Sequence, residues 1–571
     1  MKVKWVLLSL IFLLTSFCDS VSSDFIAVNL TGYSSDDNKQ AFLVNADANE
    51  FEVVHSADDQ VAYSGFIWQQ KKPDKATGDT VSLIDFSELT EPGEYYIRIA
   101  ENPEIRSHSF KIDENVYSEV TSAVLQSYYY HRCGTEVDNG EQWTYEVCHL
   151  DDAPFYDYPE IEREVTGGWH DAGDYNKFTV NTAVSVGLLL HLYELEPAAF
   201  TDAQLNIPES GNGIPDLLDE VKWALEWMLK MQRQDGAVFH KVSQKKWTGE
   251  YLPHEDPETR YIFDISSSAT ATFTAVAALG AKLFEDHDSE YAKELANAAF
   301  NSWHYLEEHP YQQPRGGFEN PPDVHGGSYG DPDDSDERIW AAIELFKLTG
   351  DEKFIDFFVT TFRDMDQYFI PALSWKNFES LAYSSFIHMD TQHHYSGIKD
   401  RVRKLFITHA NTILNKRETN NYLNLIDTGE YYWGSNSVGL AYSFDLIQAF
   451  RLTNEKEYKT AALDQLHYVL GRNPFNMSQV TAVGTRSSQK PYHQLSEMGG
   501  FDEPIPGMLV GGPNNHLHLN DKEISPFPGK NYEDRFKNYL VNETAINYTA
   551  VLAYVSGYFS SKSGTEITGN R

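Results

Sequence analysis

The chain has 571 residues, and its 85 acidic against 45 basic side chains give a formal net charge of −40. That length exceeds one ordinary core and predicts at least two domains, while the charge would repel phosphate backbones and anionic membrane surfaces, so nucleic acid is not an expected partner. Aromatic residues make up 14% of the chain, with 34 tyrosines and 11 tryptophans, a composition that suits either a large aromatic core or a cleft that stacks sugars.

Residues 1–23 place Lys2 and Lys4 before an apolar run from Trp5 to Leu14, with the small residues Ser22 and Ser23 at the end. This is the pattern of an export signal. The run is short for a membrane span and no later segment qualifies. Cys18 opens a lipid-anchored alternative, but Phe17 before it is bulkier than such processing sites accept. A secreted or periplasmic protein is expected, and removal of the leader leaves only Cys133 and Cys148.

From Asp24 to about residue 115, short runs such as QAFLVNA, FEVVHSA, TVSLIDFS and GEYYIRIA alternate with Asp, Asn, Pro and Gly clusters. Their spacing predicts a β-sandwich of immunoglobulin-like size, without that fold's cysteine pair. From residue 116 to 571 the pattern is helical. In IPDLLDEVKWALEWMLKMQRQDG, Pro215 suits a first helical turn, Leu217, Val221, Ala224, Leu225 and Met228 share one face, and Gly236 supplies a stop. ATATFTAVAALGAKLF, from Ala269 to Phe284, predicts a buried helix. An internal echo, FKLTGDEKF at 346–354 and FRLTNEKEY at 450–458, pairs a helix ending at Gly350 or Asn454 with a charged start to the next. Repeated helical hairpins over so long a stretch predict a barrel of helix pairs, with the site in the loops at one end.

Two stretches carry candidate chemistry. In GGWHDAGDYNKF, residues 167–178, Asp171 and Asp174 flank Gly173 just ahead of an apolar helix. Two carboxylates so close can hold one water, one drawing its proton and the other orienting it; a helix cap plus a turn aspartate is the bland alternative. In YEDRFKNYLVNETAINYTA, residues 532–550, Asp534 and Glu543 lie among tyrosines and asparagines. Glu543 could be a solvated helical residue, or the distant acid that a glycosidase needs to protonate its leaving oxygen.

Together these stretches strongly resemble glycoside hydrolase family 9. VNLTGYSS, PDLLDEVKWALEWMLKMQ, DERIWAAIELFKLTGD, WGSNS, YVLGRNP and PGMLVGGPN follow in the family's order. The resemblance implies an (α/α)6 barrel after the immunoglobulin-like domain, and cleavage of β-1,4-glucosidic bonds with inversion. Carried over by position, Asp174 is the general base, Asp171 helps to hold the water, Glu543 is the general acid, and Asp534 falls on the aspartate of the last motif. Tyr432 and Trp433, beside WGSNS, are candidate sugar platforms, with a core role for Trp433 as the alternative. One motif departs: where the family reads P-H-H-R, this chain has Tyr492, His493 and Gln494, so a charged fork of donors is missing. Thr549 likewise stands where an asparagine is usual. Two alternatives to a β-glucan polymer or oligosaccharide as substrate follow from this departure: an exo-acting β-glycosidase on a modified sugar such as a β-glucosaminide, and a non-catalytic carbohydrate-binding homologue.

In an exported protein Cys133 and Cys148 would by default form a disulfide. His149 and His170, however, complete a Cys2His2 set suited to tetrahedral zinc, and the resemblance implies such a structural zinc. Calcium is a weaker expectation, from Asp336 and Glu337 in DPDDSDERIW, which could equally be a charged helix start. No organic cofactor is expected, and the protein is expected to be a monomer. Asn542 and Asn547 head formal glycosylation sequons, where a glycan would obstruct the acid.

Overall fold

Each half-apolar run of the N-terminal region needs a neighbouring strand to satisfy its backbone, and the Asp, Asn and Pro turns between the runs bring one. In the computed structural model, which describes residues 24–68, 72–364, 369–389 and 395–561, seven strands result: β1 (Phe25–Ala27), β2 (Gln40–Val44), β3 (Glu50–His55), β4 (Val61–Phe66), β5 (Val81–Asp85), β6 (Gly93–Ile99) and β7 (Phe110–Ile112). The leader, with Lys2, Lys4 and Cys18, lies outside the described residues. The strands form two antiparallel sheets, ordered β1-β2-β5 and β4-β3-β6-β7. Their inner faces meet through Leu43, Phe51, Val53, Ile84, Tyr95, Ile97 and Phe110, all buried.

The first helix, α1 (Val116–Tyr129), begins four residues after the last strand ends. There follow α2 (Thr179–Leu195), α3 (Asp216–Met231), α4 (Ser267–Phe284), α5 (Ser289–Glu308), α6 (Ser335–Thr349), α7 (Glu352–Asp364), α8 (Glu379–His388), α9 (Ser396–Thr419), α10 (Ser435–Thr453) and α11 (Lys456–Val469). Two short helices, α12 (Gln494–Met498) and α13 (Tyr539–Asn542), precede α14 (Ile546–Ser560). In space α2, α4, α6, α8, α10 and α14 close an inner ring, each touching the next, while α1, α3, α5, α7, α9 and α11 pack outside them.

The division follows from sequence. Inner helices are apolar almost all round, as in α4, whose threonines satisfy their hydroxyls on carbonyls four residues back, Thr270 on Ser266 and Thr274 on Thr270. Outer helices such as α3 keep one charged face. Because inner and outer helices alternate as hairpins, all six inner helices start at the same end of the barrel, where their N-terminal N–H groups favour anionic side chains.

Both echoed helix ends take the left-handed conformation, Gly350 at φ 70° and Asn454 at φ 60°. Two local expectations are corrected. Pro215 is extended (φ −57°, ψ 130°) and precedes α3 rather than lying in its first turn, and α3 ends at Met231, before Gly236. Gly236, at φ 93°, instead turns the chain after the helix.

The sandwich and barrel meet along a bonded seam. Leu30 N–H donates to Leu470 O at 2.9 Å, and Thr485 N–H to Leu30 O at 3.1 Å. Asp79 accepts from Tyr422 Oη at 2.9 Å and from Lys530 Nζ at 2.6 Å, so one loop of the sandwich holds two loops of the barrel.

Candidate active site

The loop 167–178 enters α2 at the end where the inner helices begin, and its last residues pair into a small sheet, β8 (Lys177–Phe178) on β9 (Lys241–Gln244) on β10 (Arg260–Ile262). Asp171 is buried. Asn181, two residues inside α2, donates its amide to both Asp171 oxygens at 2.9 and 3.1 Å, and Tyr329 Oη donates to Oδ2 at 3.2 Å. Burial, reinforced by the Asp174 charge, pushes the Asp171 carboxyl up to about 8 against these donors.

Asp174 is half-buried. It accepts from Asn176 N at 3.1 Å and from Asn176 Nδ2 at 2.7 Å. Burial raises its carboxyl too, but these bonds and the Arg260 and Lys241 charges oppose the rise. Lys241 is itself pulled down to about 7 by burial, with the Asp174 charge working the other way. It donates to Asn320 Oδ1 at 2.6 Å and Gly327 O at 3.0 Å, fixing the loop that carries Tyr329.

Glu543 sits between α13 and α14. Burial first, then the charges of Asp174 and Asp171, push its carboxyl well above the usual carboxylate range, although the nearby Trp433 indole and Gly173 N–H work the other way. Burial thus raises all three carboxyls, and Asp174 is the one whose rise the Arg260 and Lys241 charges oppose, an asymmetry in the sense that acid–base hydrolysis requires. Asp534, expected in the catalytic set, is committed elsewhere. Its oxygens accept from Ser488 Oγ and Gln489 N at 2.7 Å and from Lys490 N and Asn542 Nδ2 at 3.1 Å. It braces the segment before Tyr492 and the residue before Glu543, so its role is positioning.

Of the expected sugar contacts, Tyr432 and Trp433 are open to solvent, at 40% and 36% exposure. Trp433 is thus a cleft residue rather than a core one. The Tyr492 ring joins an aromatic group, stacked on Phe536 at 5.3 Å and close to Tyr539 at 5.7 Å and Trp247 at 6.0 Å. His493 and Gln494 are buried, at 3% and 2% exposure. Tyr492 N–H donates to Asn542 O at 2.8 Å in strand-like pairing, so the next side chain points to the opposite side. There His493 Nδ1 meets Ser496 Oγ at 3.0 Å, and its ring lies against His131. Gln494 opens α12 and accepts the Tyr251 N–H at 3.0 Å. The amide that stands where the family has arginine thus ties down a neighbouring loop.

The four candidate metal ligands come together. Cys133, Cys148, His149 and His170 each bring a ligand atom within 4.8 Å of the other three, and both cysteines are free rather than joined in a disulfide. His149 Nδ1 is buried without a hydrogen-bond partner, while its Nε2 lies 3.5 Å from Asp256 Oδ2. A carboxylate behind a histidine with its other nitrogen free is the outer support that a zinc-ligating histidine has. Arg260 donates to Cys133 Sγ at 3.0 Å and also to Asp152 and the Tyr175 carbonyl, joining this cluster to the Asp174 loop.

Asp336 and Glu337 lie buried in the first turn of α6. Both Glu337 oxygens and one oxygen each of Asp331 and Glu379 are buried without a hydrogen-bond donor. Burial and mutual repulsion raise all four carboxyls, Asp331 to about 7. Such an oxygen-rich, uncompensated set suits a hard dication. Asn542 and Asn547, 0% and 8% exposed, are closed to glycan attachment in the folded chain.

Sequence reasoning missed Asn181, Tyr329 and Trp247. Asn181 left a trace, as an amide in the first turn of a mostly apolar helix; Tyr329 and Trp247 left none, since only the folded loops bring them to the cleft.

Residues 117–556 match the sequence model of glycosyl hydrolase family 9, and residues 22–104 match that of the cellulase N-terminal ig-like domain. The chain is 32% identical over 549 residues to Endoglucanase D of Acetivibrio thermocellus, covering 94% of this chain and 83% of that protein. It is 30% identical over 553 residues to a Cellodextrinase of Butyrivibrio fibrisolvens, covering 93% and 98%. Among solved structures, a metagenome-derived glycoside hydrolase family 9 endoglucanase superposes with a TM-score of 0.88 at 35% identity, covering 94% of this chain and 99% of the other.

Proposed function

The chain belongs to glycosyl hydrolase family 9, and from that premise we propose that it is an exported, monomeric, inverting hydrolase of β-1,4-glucosidic bonds in cellulose, related β-glucans or their oligosaccharides. It is an enzyme rather than a binding homologue. The observation that carries the mechanism is the pairing of Glu543, whose carboxyl burial pushes well above its ordinary range, with Asp174, whose rise the Arg260 and Lys241 charges oppose.

Glu543 protonates the leaving oxygen, with the Trp433 indole and Gly173 N–H aiming its carboxyl. Asp174 withdraws a proton from a water that Asp171 helps to hold on the opposite face of the sugar, and the new bond forms with inverted configuration. Inversion needs roughly 6.5–9.5 Å between the two carboxyls to admit that water. Asp171, fixed by Asn181 and Tyr329, keeps the water's position rather than its charge.

Cys133, Cys148, His149 and His170 would hold a structural zinc, and the free Nδ1 of His149 supports that assignment. Bound there, the metal supplies no chemistry to the sugar; it fixes the loop on which His170 directly precedes Asp171. The Asp336 and Glu337 cluster would take calcium. Among the described residues no helix is long and apolar enough to cross a membrane.

A second reading, exo attack on a modified sugar such as a β-glucosaminide, draws on one change: Tyr492 and the inward Gln494 leave the cleft without the family's guanidinium. Product sizing on cello- and chito-oligosaccharides decides between them, because single-sugar release from only the aminated series would end the glucan reading. For inversion, proton NMR of the first-formed product should show the α-anomer; a β-anomer would overturn it. Asp174→Ala and Glu543→Gln should each abolish turnover with the fold intact.

A further inference from the structure

The open aromatic side of the cleft does not stop at Trp433. Tyr432 beside it meets the His516 ring edge-on at 6.2 Å, and His516 opens a lobe over residues 513–531 that leads to the sandwich. Along it Leu517, Ile524 and Phe527 stand 51%, 45% and 40% exposed. Lone exposed apolar residues are ordinary, but three on one lobe that joins the Tyr431–Tyr432 segment mark a candidate binding surface.

The lobe is fastened at both ends, so these side chains are held outward. Asn515 N–H donates to Tyr431 O at 2.7 Å. Asn531 accepts from Ile524 N at 3.0 Å and Ser525 N at 2.8 Å and donates to Asn515 Oδ1 at 2.9 Å. At the far end the Phe527 ring lies flush on Gly78, where a Cβ would stand 2.4 Å from it, and Lys530 is bonded to Asp79.

We propose that a β-1,4-glucan chain continues from Tyr432 and Trp433 onto Leu517, Ile524 and Phe527, so that the lobe extends the cleft and favours polymer over short oligosaccharides. This rests on the β-glucan reading of the site. The occupant follows from continuity and from sugar chemistry: a β-linked pyranose chain is a flat ribbon with apolar C–H faces and hydroxyl edges. It can lie on a strip of apolar side chains while its edges stay in water. The −40 charge of the chain disfavours an anionic polymer in the same place.

The test compares wild type, a Leu517→Ser/Ile524→Ser double variant and Phe527→Ala on a soluble β-1,4-glucan polymer and on cellotriose. Tyr311→Ser serves as control, being 75% exposed and on none of these contacts. In the double variant KM for the polymer should rise about tenfold, the equivalent of one to two apolar contacts, while kcat/KM on cellotriose stays at the wild-type value. The Tyr311 control should change neither. Phe527→Ala should act like the double variant; should it lower the thermal midpoint, the double variant, whose altered side chains lie in water, carries the test alone. An unchanged polymer KM in the double variant, or an equal loss on cellotriose, overturns the extension and leaves the glucan reading standing. A wild-type protein that cleaves no β-1,4-glucan overturns both, and shows it before any variant is made.

Discussion

Gly173 and Tyr492 occupy a space that has no room for one more carbon. A Cβ on Gly173 would stand 2.4 Å from both Cδ1 and the carbonyl oxygen of Tyr492. Around that contact Gln494 N–H donates to Gly173 O at 3.0 Å and Tyr492 N–H to Asn542 O at 2.8 Å. The base loop and the acid segment, about 370 residues apart in sequence, are thereby set against each other by backbone.

Gly173→Ala should therefore separate base from acid without removing either. Forcing the Cβ in moves backbone rather than a flexible side-chain end, at a cost of about 1–3 kcal/mol in stability, and an ångström of displacement between catalytic groups costs about a hundredfold in rate. A fall of at least that size in kcat, with a small drop in thermal midpoint, is the expected result. Wild-type kcat in the alanine variant would show that the two halves are positioned independently.

The pH dependence follows from the raised Glu543 carboxyl. The activity profile should be a bell whose acid limb reports Asp174 and whose alkaline limb reports loss of the Glu543 proton. For stability the sign is set by a folded value above the unfolded one of 4.5. Above that pH the unfolded chain releases the proton while the native state still holds it, so stability falls as pH rises until the folded group itself titrates. Glu543→Gln is neutral at every pH and should lack this slope. Its thermal midpoint should match wild type in acid and exceed it increasingly above pH 4.5; parallel curves would mean that Glu543 is not held protonated.

How much of this could be read in advance depended on whether a residue acts through local pattern or distant contact. The helical hairpins and sandwich strands were legible, because period and punctuation are local; so were Asp171, Asp174 and Glu543, through dense motifs. The partners of His493 and Gln494 were not legible, because a motif gives order without side-chain direction: His493 meets Ser496 and His131, and Gln494 accepts the Tyr251 N–H. Asp534 looked like a catalytic carboxylate by type, but its four donors, from Ser488, Gln489, Lys490 and Asn542, exist only once the chain is folded. Tyr329 and Trp247 reach the cleft on loops whose course no local pattern encodes.

The Cys2His2 cluster predicts one tightly held zinc per chain by elemental analysis, and thiols that react only after chelation. Burial alone would raise the Cys133 thiol, but a hydrogen bond with Cys148 and the Arg260 and Lys177 charges bring it well below its usual range. It is thus ready to ligate as a thiolate. His149→Ala should lose the metal, several kcal/mol of stability and most of kcat, since a zinc held by this cluster would also fix His170, which directly precedes Asp171. A metal-free protein without reactive thiols under denaturing conditions would point to a disulfide instead.

Asp79 predicts how far the sandwich matters to the barrel. Its side chain is 4% exposed and accepts from Asn45 Nδ2 at 2.8 Å, Tyr422 Oη at 2.9 Å and Lys530 Nζ at 2.6 Å. Tyr422 precedes the Tyr432 and Trp433 platform, and Lys530 precedes Asp534, so both barrel loops reach the cleft from this anchor. In Asp79→Ala, Lys530 can return to water because it is 31% exposed, whereas the Tyr422 hydroxyl is buried and loses its acceptor, at about 1–3 kcal/mol. Asp79→Asn keeps an oxygen for Tyr422 and should cost less. The alanine variant should therefore unfold earlier and bind polymer more weakly, through a loosened 513–531 lobe, while the asparagine variant falls between it and wild type. Equal thermal midpoints and equal polymer KM across all three would show that the sandwich rides on the barrel without shaping its cleft.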